Sequence, residues 1–443
     1  MRISIGIKLF AALLGLAIGQ IGLAQSNDQF VSILSYRVGP YANNGNSVFG
    51  GFIDYMQYIN MQGGINGVKL SWEECETEYN NARGVECYER LKSVSKTKGT
   101  MIHPLSTGIA YSLLDKTLAD KVPLAMIGYG RTDAIDGRYF PYAFPLVTTY
   151  QMQASAMLKF MAQRGGGAQA TTEFLKGKKI AYVYHDSAFG KEPLEVLRAE
   201  AAINKFELIE IPVAHPGNEQ GAQWLQVRQH NPDWVIFWGW GVMNSTGIQA
   251  AQKVGFPRDR IVGVWWASSE EDTLPAGPGA KGYIAATFGS PGKSAPVIND
   301  IERVVYGAGK GNMKDLNKVG TVLYNRGLIH GIITVEAVRR AQEKFGKRVM
   351  TGEEVRWGLE NLKLNTARLK QLGATGLMPE LSVSCEDHEG SGKVIFQQWD
   401  GSQWKVISDY IEGNRKLVRQ LLQASADKYV KEKKITPRDC AKD

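Results

Sequence analysis

Two doubly wound parallel-sheet α/β lobes, joined by a multi-strand hinge, are the fold that this sequence predicts. Three observations carry that expectation. Strand-like and helix-like patterns alternate from residue 29 to residue 127, the signature of a parallel, doubly wound sheet. The same alternation restarts at residue 179. A third stretch, 297–362, reads as helices with few strands between them, and such helices need a sheet supplied by another part of the chain.

The first unit opens with a strand at 29–36 (QFVSILSY) and a loop at Gly39-Pro40. Helical periodicity runs from 47 to 60 and stops near Gly63-Gly64, and 68–73 alternates apolar and polar residues as a strand does. A helix at 84–94, a short strand at 100–103, a helix at 111–118 and a strand at 123–127 complete the unit. A first crossing between lobes falls at 146–150. The second unit has strands at 179–184 (KIAYVY), 206–213, 234–238, 261–264 and 283–287, with helices at 193–202, 220–230 and 245–254. Helices at 297–306, 317–345 and 352–362 then return to cover the first lobe. Strands at 381–384, 392–398 and 404–407 form a small β meander, with Asp400-Gly401 as its hairpin turn. A polar helical tail at 410–434 closes the chain. The expected division is lobe one at 25–147 plus 290–375, lobe two at 148–289 plus 376–409, and a C-terminal helical extension at 410–443. Two sheets face to face would line a shared cleft with the carboxyl ends of their strands, where ligands of open α/β sheets sit.

Residues 1–24 read as a cleavable signal peptide. Arg2 and Lys8 make a basic start, an apolar run spans 9–23, and Gly22-Leu23-Ala24 puts small residues at the −3 and −1 positions of a cut before Gln25. The run is too short for a spanning helix, no Cys follows it for a lipid anchor, and no later stretch has the ~18 apolar residues of a span. The expected location is the periplasm. The formal charge is +8, or +6 once Arg2 and Lys8 leave, and no Lys/Arg cluster with interleaved aromatics points to nucleic acid. An even set of cysteines in an exported chain, Cys75, Cys87, Cys385 and Cys440, favours disulfides. Three pairings are open. Cys75 with Cys87 is the natural local pair, worth about 3 kcal/mol on the chain-entropy model, and Cys385 with Cys440 would tie the tail to the body. No C-x-x-C is present, so the cysteines do not suggest a metal.

Catalytic signatures are missing. The stretch Gly289-Ser290-Pro291-Gly292-Lys293-Ser294 is similar to a phosphate loop, but Thr287 stands where the first Gly is required and Pro291 interrupts it. There is no G-x-S-x-G elbow and no H-E-x-x-H. A secreted α/β hydrolytic enzyme is the competing reading. It requires His103 or His185 within hydrogen-bond reach of Ser106 or another hydroxyl. No cofactor is implied.

From 29 to 407 the ordered segments resemble the leucine/isoleucine/valine-binding proteins, the type I periplasmic binding proteins of ABC transporters. Val38-Gly39-Pro40 comes first. Asn60-x-x-Gly63-Gly64-Ile65-Asn66-Gly67, with Val68-Lys69-Leu70, is then similar to the family's INAxGGINGxxL stretch. A Cys-containing segment with the helix at 84–94, Ser106-Thr107-Gly108, the VPLAMIG strand, 182–190, 234–239 and Gly255-Phe256 follow in order.

The resemblance implies a Venus-flytrap receptor without catalytic residues, monomeric, that hands a small carboxylate-containing solute to an inner-membrane ABC permease. That solute would be an amino acid or an aromatic or organic acid. The resemblance also implies contacts. Ser106, Thr107 and Gly108 would meet the solute with hydroxyls and free N–H groups at a helix start, which suits a carboxylate. Tyr129, Gly130, Arg131 and Thr132 would follow, Arg131 through bidentate bonds. Phe189, Trp238, Trp240 and Trp266 would face them from the second lobe. There is one departure. Amino-acid-binding members usually set an acidic residue after the 261–264 strand to meet the ligand ammonium. Here Trp265-Trp266-Ala267-Ser268-Ser269 stands in that place, with acids only at Glu270, Glu271 and Asp272. Trp238, Trp240, Trp265 and Trp266 lean the expectation toward an apolar or aromatic ligand. A ligand-sensing partner of a membrane receptor is another use of the same fold.

Overall fold

The computed structural model describes residues 27–442, so the expected signal peptide and its cleavage site lie outside the described residues. The second lobe is built on one continuous sheet. Its spatial order is Glu207–Val213, Lys179–His185, Trp234–Trp238, Ile261–Gly263, Ile284–Thr287, Lys393–Trp399, Trp404–Val406. The first five are mutually parallel, with Ala181 opposite both Ile209 and Val235. Lys393–Trp399 adds antiparallel to Ile284–Thr287, placing Ile395 opposite Thr287. It then turns into Trp404–Val406, with Trp399 opposite Trp404. Asp400 makes that turn: its Oδ1 accepts from the N–H groups of Ser402 and Gln403, and Gly401 takes a φ of +109°.

The expected meander is therefore corrected in one part. Leu381–Ser382 does not join it but pairs antiparallel with Lys363–Leu364. One long helix was not anticipated from the sequence, besides short ones such as Thr366–Gln371. Tyr150–Gly166 is helical and buries nearly every residue from Tyr150 to Ala162, so it carries no polar face for a 3.6-residue period to reveal.

The first lobe has a shorter ladder. Gln29–Ser35 pairs parallel with Leu70–Glu76, and Leu124–Ala125 with Ala143–Phe144. The strand expected at 100–103 shrinks to a single bridge, Ile102 to Leu124. Side chains take over there. Gln29 Nε2 donates to Thr100 Oγ1 (2.7 Å) and to the Met350 carbonyl (3.0 Å), while its Oε1 accepts from Met350 N–H (2.7 Å). These bonds pin the returning segment to the first strand.

The helix Val322–Phe345 packs along Ala42–Met61. Glycine sets how close the two come. A Cβ on Gly51 would lie 2.1 Å from the Tyr324 carbonyl oxygen, and one on Gly327 would lie 2.1 Å from that of Val48. In the same core His330 Nδ1 meets His103 Nδ1 (2.9 Å), and His103 Nε2 meets Thr334 Oγ1 (2.8 Å).

Both disulfides form, Cys75–Cys87 and Cys385–Cys440, with Cα separations of 5.6 and 5.8 Å. The C-terminal helix Arg415–Lys433 is fastened to both lobes. Tyr429 stacks on Phe140 (4.9 Å) and Ser425 Oγ donates to Asp133 on the first, while the helix packs on Tyr150–Gly166 and Leu194–Asn204 of the second. Among the described residues, no helix is long and apolar enough to cross a membrane.

Candidate functional site: an aromatic cavity between the lobes

The first lobe contributes the start of the helix Thr107–Asp120. Ser106 is its N-cap, in extended backbone, and its Oγ accepts from Ile109 N–H. The preceding Leu105 takes a φ of +49° and is held from two sides. Its N–H donates to Tyr129 Oη (2.7 Å), and its carbonyl accepts from Tyr36 Oη (3.1 Å). The Tyr129 hydroxyl proton in turn goes to the Ala125 carbonyl (3.2 Å). The fixed loop aims Thr107 into the cleft.

The second lobe contributes residues just past its parallel strands, where an open α/β sheet binds ligands. Phe189 follows Lys179–His185, Trp240 follows Trp234–Trp238, and Trp266 follows Ile261–Gly263. These side chains meet Tyr79, Leu105, Thr107, Tyr129 and Tyr150 around a small cavity of about 10 Å³, room for about one water. The rings interlock edge to face, Trp240 against Trp266 at 5.2 Å and Tyr129 against Trp266 at 6.0 Å. Burial pushes the phenols of Tyr79, Tyr129 and Tyr150 up, so they stay neutral. Trp240 Nε1 is buried without a partner. A buried donor left unpaired is costly, and an acceptor on a bound solute would relieve it.

No lining side chain is charged. Arg131 spends its guanidinium on Asp133 (2.7 and 3.0 Å) and lies over the Tyr429 ring at 4.1 Å. Arg326 is buried behind Trp266, 5.0 Å over its ring. It donates to the Trp265 carbonyl and to Ser268 Oγ (2.9 Å), and burial lowers it to about 9. The acids Glu270, Glu271 and Asp272 each reach the other lobe instead of the cavity, and Asp272 also holds Asn244 of its own lobe. Asp272 accepts from Asn44 (3.1 Å) and Asn244 (2.9 Å), Glu271 accepts from Ser47 Oγ, and Glu270 accepts from Val322 N–H (2.9 Å). Burial pushes Asp272 up to about 6 and Glu270 up to about 7.

Of the residues singled out from the sequence, Thr107, Tyr129, Phe189, Trp240 and Trp266 meet at the cavity. Ser106 and Gly108 line an adjoining open groove with Asn80, Asn81, His185 and His215. Gly130, Arg131, Thr132 and Trp238 lie outside the lining. Gly130 faces Met126, and Thr132 N–H donates across the lobes to Glu192 Oε1 (2.5 Å). Trp238 packs behind the wall, 5.4 Å from Tyr150. Tyr79 and Leu105 line the cavity without having been singled out. Tyr79 follows the strand Leu70–Glu76 closely, so a search of every strand end would have found it.

The hydrolase reading asked for His103 or His185 near a hydroxyl; His103 Nε2 meets Thr334 Oγ1 at 2.8 Å inside the helical core, away from the cavity, and His185 Nδ1 lies 2.8 Å from Ser187 Oγ. The other nitrogen of His185, however, is held by Tyr41 Oη (2.9 Å) rather than by a carboxylate. Burial, aided by the neighbouring His215, lowers His185 to about 4, too acidic for a base at neutral pH. The pair lacks the orienting acid and the basicity that nucleophilic catalysis requires.

Residues 29–403 match the family model of the periplasmic binding proteins. Among solved structures, the chain is 48% identical to an ABC transporter permease of the Pseudomonas fluorescens group, with a TM-score of 0.86 over 94% of this chain and 99% of that one. A branched-chain amino acid ABC transporter protein from Thermus thermophilus with bound valine is 22% identical, at a TM-score of 0.72 over 89% and 99%. An ABC transporter solute-binding protein from R. palustris in complex with benzoate is 17% identical, at 0.65 over 86% and 96%. No curated protein matches the chain. The family model spans most of the described residues, and the parallel α/β ladders with a cleft at their strand ends are the type I arrangement; the chain belongs to the periplasmic binding protein family.

Proposed function

We propose that the protein captures a small aromatic or organic acid without an ammonium group, by closing its two lobes, and delivers it to an ABC permease. One observation carries the choice of solute: the cavity is walled by aromatic rings and holds hydroxyl and indole donors but no carboxylate. A carboxylate would sit at the N-terminus of Thr107–Asp120, where helix N–H groups and the macrodipole favour negative charge. An ammonium would find no acid in the lining. The closed state would be favoured by the solute's differential affinity for it. We take the lobes as 25–147 plus 290–375 and 148–289 plus 376–409, with 410–443 as an extension, and the working species as a periplasmic monomer.

A thermal-shift screen tests the reading, with benzoate, hydroxybenzoates, short organic acids, benzamide, valine and leucine as probes. A solute at 100 times its Kd stabilises by about 2.7 kcal/mol. The expected result is a shift with at least one acid and none with valine or leucine. In Trp240→Phe, which removes the indole donor, affinity for that acid should fall roughly tenfold. A shift confined to valine and leucine, or to benzamide alone, would overturn the assignment.

A further inference from the structure

Tyr41, at the start of the helix Ala42–Met61 in the first lobe, reaches across the mouth of the cleft. Its hydroxyl lies 2.9 Å from His185 Nε2 and 2.5 Å from His215 Nδ1, both on the second lobe. Its ring stacks on His215 (5.5 Å, 13°) and packs at a tilt against Tyr79 (4.2 Å, 33°). The second-lobe backbone is cut away to receive it: a Cβ on Gly241 would lie 2.4 Å from Tyr41 Cδ1. Tyr41 is 1% exposed, and it does not line the cavity.

We propose that Tyr41, His185 and His215 form a closure latch that sets solute affinity without touching the solute and that opens when the histidines take up protons. The proposal rests on the cleft-closure reading above. The hydrogen-bond chemistry explains the design. A phenol has one proton, so Tyr41 donates to one imidazole and accepts from the other. That arrangement needs at least one neutral ring. With both rings protonated, two cations with centroids 5.1 Å apart would face one oxygen that has lost its acceptor. Burial disfavours the charged form of both, and charge on His215 further opposes charge on His185. Asp186 is the one acid acting on His185, and Lys191 holds it at 2.6 Å. Tyr79 faces the same group as a neutral phenol. Ser187 Oγ on His185 Nδ1 keeps that ring in place.

Small-angle scattering of the solute-free full-length protein tests this, because it reads closure whether or not the solute class is right. The radius of gyration should rise by about 1 Å between pH 7.5 and pH 4, on the roughly 22 Å expected for a folded chain of this length. Tyr41→Phe, which keeps the ring and its packing, should already be expanded at pH 7.5 and should respond little to acid. His215→Gln, whose amide cannot gain a proton, should weaken the acid response. Far-UV circular dichroism should stay unchanged throughout, which separates opening from unfolding. A Tyr41→Phe variant as small as the wild type at pH 7.5, or one that expands on acidification as the wild type does, would overturn the latch.

Discussion

The two lobes share one pattern of strand and helix but are held together in different ways. The second lobe has a continuous parallel ladder from Glu207–Val213 to Ile284–Thr287, extended by an antiparallel pair. The first lobe has two separate pairs, Gln29–Ser35 with Leu70–Glu76 and the two-residue Leu124–Ala125 with Ala143–Phe144, the latter bridged to Ile102, and buried side chains finish the work: Gln29 on Met350, His103 on His330, and Asp54 accepting from Tyr324 Oη (2.8 Å) and from Asn312 N–H (2.7 Å). A ladder is insensitive to which side chains it carries. A lobe closed by buried polar contacts depends on each partner and on its protonation.

The largest expected effect breaks the weaker lobe alone. Gly327→Val puts methyl groups where a Cβ is already 2.1 Å from the Val48 oxygen, and should cost about 3 kcal/mol or more. In native-state hydrogen exchange, amides of the first lobe should then lose protection while those of 179–185 and 234–238 keep theirs. Equal loss in both lobes would mean that they form one cooperative unit.

A middle-sized effect is pH-dependent. Burial lowers His103 to about 3 and His330 well below its usual value. Both are depressed relative to the unfolded chain, so below pH 6.5 the unfolded state binds more protons and stability falls with pH. For His103 the loss between pH 6.5 and pH 5 is about 2 kcal/mol. Urea midpoints at the two pH values should differ less in His103→Asn than in the wild type. An unchanged slope would show that the acid response arises elsewhere. The smallest effect sharpens the contrast from the other side. Arg198 pairs with Glu210 on the surface of the second lobe, with the arginine 59% exposed. Arg198→Ala should change stability by no more than about 0.5 kcal/mol.

The same contrast governs what the sequence reveals. KIAYVY and WVIFW are buried on both faces of a parallel sheet, and their unbroken apolar runs place those strands within a residue or two. The segment at 100–103 has the composition of a strand, but the partners that define it, Gln29 and Thr334, are distant in sequence and leave no local mark. The cavity follows a similar rule. Thr107, Phe189, Trp240 and Trp266, which the resemblance implied as contacts, come together at or just beyond strand ends. Which polar groups are already spent is not legible in the sequence: Asp133, two residues on, occupies Arg131, and Glu192 occupies the Thr132 amide from the opposite lobe.

The bonds between Gln29 and Met350 join residues 321 positions apart. The five parallel strands of the second lobe, by contrast, fall within one stretch, 179–287. Closing a longer loop costs more chain entropy and slows assembly. The second lobe should therefore nucleate first and the first lobe should wait for its distant segment. During that wait the unpaired face of Ala42–Met61 is the surface most in need of a chaperone. Pulse-labelled refolding would show the order, with protection at 179–185 appearing before protection at 29–35.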